Sequence, residues 1–246
     1  MKKQFTTIAC TLVAIIFNFN IGKAQELAFV TASPYAVAFK LPFFEAIPAD
    51  PANANPKGVN PTEALDLTGR GLTELPSEAL VSTAEVITLD SNLLDKLSVS
   101  AGQWSQCRQL FARHNWLESF PEGTSAMASL ELMDLTRNHI GALPASVGKL
   151  ASMKKLVLDL NFLSALPAEI GQMKSLKELS IRWNSLTSLP AEIAQMGSLE
   201  VLNLTNNSLA SLPEDICNMK SLKVLRVNNN DLDKLPAALA DRKSVV

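Results

Sequence analysis

The residues in this sequence whose side chains could bind a metal or transfer a proton include two histidines and two aspartates that recur at similar intervals. His114 and His139 lie near Asp134 and Asp159 along the chain. Imidazole and carboxylate groups bind transition metals and also serve as general acids and bases. A metal site would need a further well-placed ligand, and the scattered glycines form no phosphate-binding or nucleophile-positioning motif. We therefore predict no metal, no cofactor and no enzymatic activity.

A second set of residues is suited to recognition. Aromatic residues make up only 6% of the chain, yet two of the three tryptophans and both histidines recur around positions that are 23 residues apart. Tryptophan and arginine are enriched among the residues that dominate binding energy at protein interfaces. The predicted partner-binding residues are Phe111, Arg113, His114, Trp116, Asp134, Arg137, His139, Asp159, Phe162, Arg182 and Trp183.

Composition limits the classes of partner. The chain has 246 residues, of which 47% are hydrophobic and 19% are charged, and its net charge is −2. This is the composition of a globular protein, and it offers no basic surplus that would attract nucleic acid or an anionic membrane. The apolar run near the start is too short to span a bilayer, so no membrane span is predicted within this chain.

An internal repeat organises most of the sequence. Seven asparagines stand at a constant interval of 23 residues, in the frame L-x-x-L-x-L-x-x-N-x-L-x-x-L-P-x-x-I-x-x-M. An earlier copy carries Arg70 where the asparagine is expected. The asparagines are Asn92, Asn115, Asn138, Asn161, Asn184, Asn207 and Asn230. Their amides have the donors and acceptors to satisfy backbone groups where the chain bends, so we predict a structural asparagine ladder.

The frame resembles that of leucine-rich repeat proteins, over residues 62–239 and about eight repeats. The Leu-Pro-x-x-Ile variant is similar to the Ras-group type, whose members are usually intracellular. The resemblance implies an α/β leucine-rich repeat solenoid, curved, with a parallel concave β-sheet and short helices or turns on its convex side. Stacked repeats bury one continuous core, and we predict that Cys107 and Trp104 occupy core positions. Cys107 and Cys217 are then about five repeats apart, too far to form a disulfide.

The repeat frame also predicts which side chains leave the core. Residues two and four positions before each asparagine alternate with core leucines and face away from the core, and the residues that flank the asparagine add Trp116, Phe162 and Trp183. We interpret this surface as a recognition patch. The alternative is that Asp90 with Arg113, and Asp159 with Arg182, form cross-strand ion pairs and that the aromatic rings only cover the rim.

The two ends of the chain differ from the repeats. Residues 1–24 carry Lys2, Lys3, a short apolar run and small residues before a cleavage point, which is typical of a secretory signal peptide. Residues 25–61 are predicted to form an N-terminal cap and linker. The sequence at 241–246 matches the translation of a widely used sequencing adapter, so we expect residues 240–246 to be a non-native tail and the chain to be a fragment.

These features predict a non-catalytic binding protein, secreted or on the cell surface, whose concave face binds a protein, peptide or glycan. One alternative is the N-terminal recognition ectodomain of a longer receptor or enzyme, for example a receptor kinase. Another is an intracellular signalling scaffold in the cytoplasm. Asn203 and Asn206 begin matches to the N-glycosylation pattern, which also arise from a frame rich in Asn, Ser and Thr. The sequence does not predict the oligomeric state.

Overall fold

The computed structural model describes residues 64–100, 103–123 and 127–239. The predicted signal peptide, the cap and linker of residues 25–61 and the tail of residues 240–246 lie outside the described residues. The described residues form the repeat region, and its boundaries at residues 62 and 239 stay a prediction.

Eight three-residue strands form one parallel sheet in chain order, with no crossovers. The strands are β1 (Ala64–Asp66), β2 (Val86–Thr88), β3 (Gln109–Phe111), β4 (Leu132–Asp134), β5 (Lys155–Val157), β6 (Glu178–Ser180), β7 (Val201–Asn203) and β8 (Val224–Arg226). The central residue of every strand pairs with the central residue of the next, as Leu156 does with Leu179. This arrangement confirms the predicted leucine-rich repeat solenoid, because the constant repeat length places equivalent residues side by side.

Short helices connect most strands on the opposite side of the core. An α-helix at Ser77–Leu80 follows β1, and each later helix is a single 3₁₀ segment. The 3₁₀ helices are Ala145–Lys149, Ala168–Gln172, Ala191–Gln195, Glu214–Asn218 and Ala237–Leu239. The proline that precedes the helices at Ala145, Ala168, Ala191 and Glu214 has extended dihedral angles. Proline fixes φ and lacks an N–H group, so it suits the start of a helix.

One continuous hydrophobic core runs behind the sheet, built mostly from the leucines of the repeat frame. Trp104 is buried in it and donates its indole N–H to the carbonyl oxygen of Ala79. Cys107 is buried as well, which confirms its predicted core position, and burial raises the pKa of its thiol to about 12. A thiol in this state is an inert core side chain.

The residue before each ladder asparagine has left-handed backbone geometry, with φ between 54° and 59°. These residues are Ser91, His114, Arg137, Leu160, Trp183, Asn206 and Asn229. A non-glycine residue in this region costs about 1–2 kcal/mol. In the turns around Asn115, Asn138 and Asn161, the buried asparagine is followed by an exposed side chain, at Trp116, His139 and Phe162. None of the helices among the described residues has the length and apolar character needed to cross a bilayer.

Candidate functional site

The asparagine ladder joins each repeat to the one before it. The Asn161 side chain accepts a hydrogen bond from the Ile140 N–H and donates to the carbonyl oxygens of Leu135 and Leu158. The first two of these partners belong to the preceding repeat, and the third belongs to its own. At the equivalent position of the first repeat, the Arg70 side chain instead donates to the carbonyl oxygen of Asp66 in its own repeat.

Two cross-strand aspartate–arginine pairs lie on the sheet face that points away from the core, here called the open face. Asp159 accepts hydrogen bonds from the Arg182 main-chain N–H at 2.8 Å and from Arg182 Nε at 2.7 Å. The Ser180 hydroxyl donates to the same carboxylate at 2.7 Å. Three repeats earlier, Asp90 accepts from the main-chain N–H and Nε of Arg113 at 2.7 and 2.8 Å. Each aspartate therefore holds an arginine of the next strand in a fixed orientation.

Asp134 lies between these pairs on the open face and is almost fully buried, with 1% of its surface exposed. Its Oδ1 atom accepts hydrogen bonds from the main-chain N–H and hydroxyl of Thr136. Its Oδ2 atom has no hydrogen-bond partner among the described residues. Burial raises the pKa of the Asp134 carboxyl, and the nearby Asp159 adds to this effect, while the Thr136 hydrogen bonds and the Arg113 charge oppose it.

Exposed rings form a stacked row next to the open face. The Trp116 and His139 ring centroids lie 5.4 Å apart, and the His139 and Phe162 centroids lie 5.6 Å apart. These residues follow successive ladder asparagines, so the repeat period sets their spacing. Trp116 is 52% exposed, Phe162 is 54% exposed and Trp183, which precedes its own asparagine, is 42% exposed. The row is an apolar surface that the fold itself leaves uncovered.

The predicted partner-binding residues differ in how much of each side chain is exposed. Exposed rings occur at His114, Trp116, His139, Phe162 and Trp183, and partly exposed guanidinium groups occur at Arg113, Arg137 and Arg182. Phe111, Asp134 and Asp159 also lie on the open face, but they are buried. The Arg113 guanidinium covers the Phe111 ring at 5.3 Å. These three residues therefore face outward from the strands, as the repeat frame predicts, but they lie beneath the exposed members of the set.

The histidines and carboxylates do not converge on a common point. Among the described residues, no three His, Cys, Asp or Glu side chains are grouped so that they could hold a metal ion. Partial burial, the charge of Arg137 and the charge of Arg113 hold the pKa of His114 below its ordinary value, although Asp90 opposes them. The chemistry that this arrangement offers is recognition by rings and guanidinium groups.

One exposed apolar residue at an equivalent position of the repeat was not identified from the sequence. Leu93 follows Asn92 directly, at the position that Trp116 occupies in the next repeat, and it is an exposed large hydrophobic residue. Its position in the repeat frame was a sufficient signal, but an isolated leucine does not stand out in a leucine-rich sequence.

Comparisons with known proteins agree with this architecture. A family model described as leucine rich repeat matches residues 151–209 and 174–232. A solved structure of a leucine-rich repeat protein from Leptospira interrogans is similar, with 34% sequence identity, a TM-score of 0.66, and coverage of 70% of this chain and 44% of that one. An internalin from Listeria monocytogenes shares the fold, with 16% identity, a TM-score of 0.60, and coverage of 74% of this chain and 59% of the internalin.

This chain therefore spans less than two thirds of the length of either solved structure. No curated protein sequence matches it. The predicted similarity to the Ras-group type of repeat stays a prediction. The asparagine ladder, the parallel sheet in chain order, the family model and the solved structures together show that the chain is a leucine-rich repeat protein.

Proposed function

We propose that this protein is a non-catalytic recognition protein that binds a protein partner through the concave, open face of its sheet. The observation that carries the proposal is the row of exposed rings on consecutive repeats. Soluble proteins rarely leave aromatic side chains clustered in water unless a partner covers them. The repeat fold by itself supports only a general role in protein interaction, since one fold hosts many functions.

The surface has the composition of a binding site. Trp116 and Trp183 offer large rigid rings, and Arg182 is partly exposed beside Trp183. Tryptophan and arginine supply much of the binding energy at protein interfaces because they combine apolar area with directed hydrogen bonding. Outside the open face and the stacked row, the described residues offer no equivalent group of rings, and the exposed large hydrophobic residues there include Val81 and Leu235.

The proposal is tested with the double variant Trp116→Ala, Trp183→Ala. Both residues are exposed, so the variant should keep its circular dichroism spectrum and its unfolding midpoint. A partner captured by the unmodified protein should be purified and its affinity measured directly by calorimetry. We expect the double variant to lose that affinity by at least about a hundredfold, as for hot-spot residues of 2 kcal/mol or more.

A matched control removes exposed apolar groups elsewhere. Val81→Ala with Leu235→Ala deletes two exposed hydrophobic side chains outside the open face, and it should leave partner affinity unchanged. Undiminished affinity in the tryptophan variant, or an equal loss in this control, would contradict binding through the open face.

We also propose that the protein is secreted, on the basis of the signal-like sequence at residues 1–24. Expression of the full chain in a secreting host should give a mature protein that begins at Gln25, as read by mass spectrometry of its N-terminal peptide. Recovery of the protein in the cytosol with Met1 retained would overturn this assignment and favour the intracellular scaffold.

A further inference from the structure

We propose that the open face binds an acidic segment of its protein partner, one in which carboxylates alternate with apolar side chains. This inference rests on the proposed function and specifies the chemistry of the partner. It is based on which charged side chains of repeats two to six are buried and which are exposed. The relevant residues are Asp90, Asp134 and Asp159 on one side and Arg113, Arg137 and Arg182 on the other.

The carboxylates on this part of the open face are buried. Asp90, Asp134 and Asp159 expose 7%, 1% and 2% of their surface, respectively. The arginines lie above them, since the Arg113 and Arg182 side chains are 23% and 33% exposed. Although the aspartates and arginines balance in number, a partner in solution meets guanidinium groups first. The partner can contact these exposed guanidinium groups directly, whereas it cannot contact the aspartates buried beneath them. Its charge should therefore complement the arginines.

Arg182 is oriented to accept a carboxylate. Its Nε donates to Asp159, and that carboxylate also accepts from Ser180 and from the Arg182 main chain. The two terminal nitrogens of Arg182 make no hydrogen bond to another described residue. A guanidinium group held through Nε presents these terminal nitrogens as a fork, which matches the two oxygens of a carboxylate.

Apolar groups flank the guanidinium groups. The stacked row of Trp116, His139 and Phe162 runs alongside the open face, and Trp183 directly follows Arg182. Exposed carboxylates occur at Asp95 and Glu118, in the turns that follow Asn92 and Asn115. A complementary segment therefore places apolar side chains on the rings and carboxylates over Arg137 and Arg182.

The geometry favours a peptide over a single-stranded nucleic acid, which also carries negative charge and flat apolar groups. A base can insert between two rings only if they are about 7 Å apart, twice the contact distance of about 3.5 Å. The rings of the row are 5.4 and 5.6 Å apart, so they already contact each other. Arg113 and Arg182 also pair with buried aspartates, which lowers the positive charge that this face offers to a polyphosphate.

The test begins with a phage-displayed library of random short peptides selected on this chain, without counter-selection, and each selected peptide is then titrated against the variant Trp116→Ala, Phe162→Ala. Selected peptides should be enriched in Asp and Glu next to aromatic or aliphatic residues. Replacing those acidic residues by Asn and Gln should weaken binding by about tenfold. Binding should also weaken as the salt concentration rises, because added ions screen exposed charges.

Variants of the protein locate the charge contact. Arg137→Gln and Arg182→Lys should each weaken binding of the acidic peptide, the second because lysine keeps the charge near Asp159 but loses the fork. Arg108→Gln is the matched control, since Arg108 pairs with Glu131 at the opposite end of the strands. Arg108→Gln should not change the affinity, and unfolding curves identify any variant that is not folded.

The outcomes separate this inference from the proposed function. Selected peptides that need the rings but carry no acidic residues, or whose neutralised forms bind equally well, would overturn the acidic partner and leave open-face binding intact. Peptides that bind the Trp116→Ala, Phe162→Ala variant as tightly as the unmodified protein would overturn both. Tighter binding of a single-stranded oligonucleotide than of any selected peptide would assign the surface to nucleic acid instead.

Discussion

Two aspartates at the same position of their repeats show how burial decides the behaviour of a residue. Asp66 in the first repeat and Asp134 in the fourth each accept two hydrogen bonds from the threonine two residues later. The pKa of Asp66 is lowered, chiefly by the hydroxyl hydrogen bond from Thr68. The pKa of Asp134 is raised, chiefly by burial. The same local motif therefore has opposite effects on the ionised form.

We predict that Asp134→Asn and Asp66→Asn change stability with opposite signs. A raised native pKa means that ionisation of Asp134 lowers the free energy of unfolding as the pH rises. Asp134→Asn should therefore be more stable than the unmodified protein at about pH 7, with the gain shrinking toward about pH 3, where carboxylates are protonated. Asp66→Asn should be less stable at neutral pH, because a lowered native pKa stabilises the folded state above the unfolded value.

Urea unfolding at the two pH values measures both effects. The comparison is internally controlled, since the two substitutions are chemically identical and occupy equivalent positions. A loss of stability in Asp134→Asn at neutral pH would contradict the prediction. It would mean that a partner of the Oδ2 atom stabilises the ionised Asp134 carboxylate in the folded state.

Among the secondary-structure elements, the fourth residue of each five-residue 3₁₀ helix limits how closely adjacent helices pack. A Cβ atom on Gly171 would lie 2.2 Å from the main-chain oxygen of Glu192, and one on Gly148 would lie 2.5 Å from that of Glu169. The equivalent residues of the next two repeats are Ala194 and Cys217. Glycine is therefore required where the helices pack most tightly, and larger residues occur in the following repeats.

We predict that Gly171→Ala destabilises the protein by about 1–3 kcal/mol, the usual cost of forcing extra volume into a packed interior. Chemical denaturation with tryptophan fluorescence provides the measurement. The control is Gly197→Ala, because a Cβ atom there meets nothing within 4 Å. Equal stability of the two variants would mean that the neighbouring helix moves aside at little cost.

At the scale of the whole molecule, stability depends on contacts between successive repeats. In a solenoid each repeat contacts only its neighbours, so the free energy of unfolding is approximately a sum over repeats and their interfaces. The asparagine ladder contributes directly to these interfaces, because its amides are buried and bond to the backbone of the preceding repeat. Damage at one central interface should therefore weaken the entire array.

We predict that Asn161→Ala lowers the free energy of unfolding by about 1–3 kcal/mol, since it leaves buried main-chain groups without partners. The loss should appear as a lower denaturation midpoint. Hydrogen exchange should increase most on the two repeats that Asn161 joins. Asn228→Ala is the control, because Asn228 is an exposed asparagine on the last strand turn. A loss of stability no greater than that of the control would show that the ladder is replaceable by water.

The repeat pattern is enough to predict the architecture and which residues face outward. A constant period of 23 residues places equivalent residues on neighbouring strands, so the parallel sheet, the core positions of Trp104 and Cys107 and the row through Trp116 and Phe162 all follow from counting. This information is local and repeats along the chain, which is why one sequence is enough to obtain it. Counting positions cannot decide between the two interpretations of this surface. One is a recognition patch, and the other is a set of cross-strand ion pairs with aromatic rings that only cover the rim.

The depth of each side chain, in contrast, follows from three-dimensional packing. Position in the repeat frame assigns Phe111, Asp134 and Arg182 to the same face, yet the first two are buried and the last is partly exposed. Depth depends on cover from the same repeat, as where Arg113 lies over Phe111, and on cover from the neighbouring strand, as where Arg182 pairs with Asp159. The second kind of neighbour is a full repeat away in sequence. The ion pairs and the exposed rings therefore coexist, because the aspartates lie beneath a layer of arginines and aromatic residues.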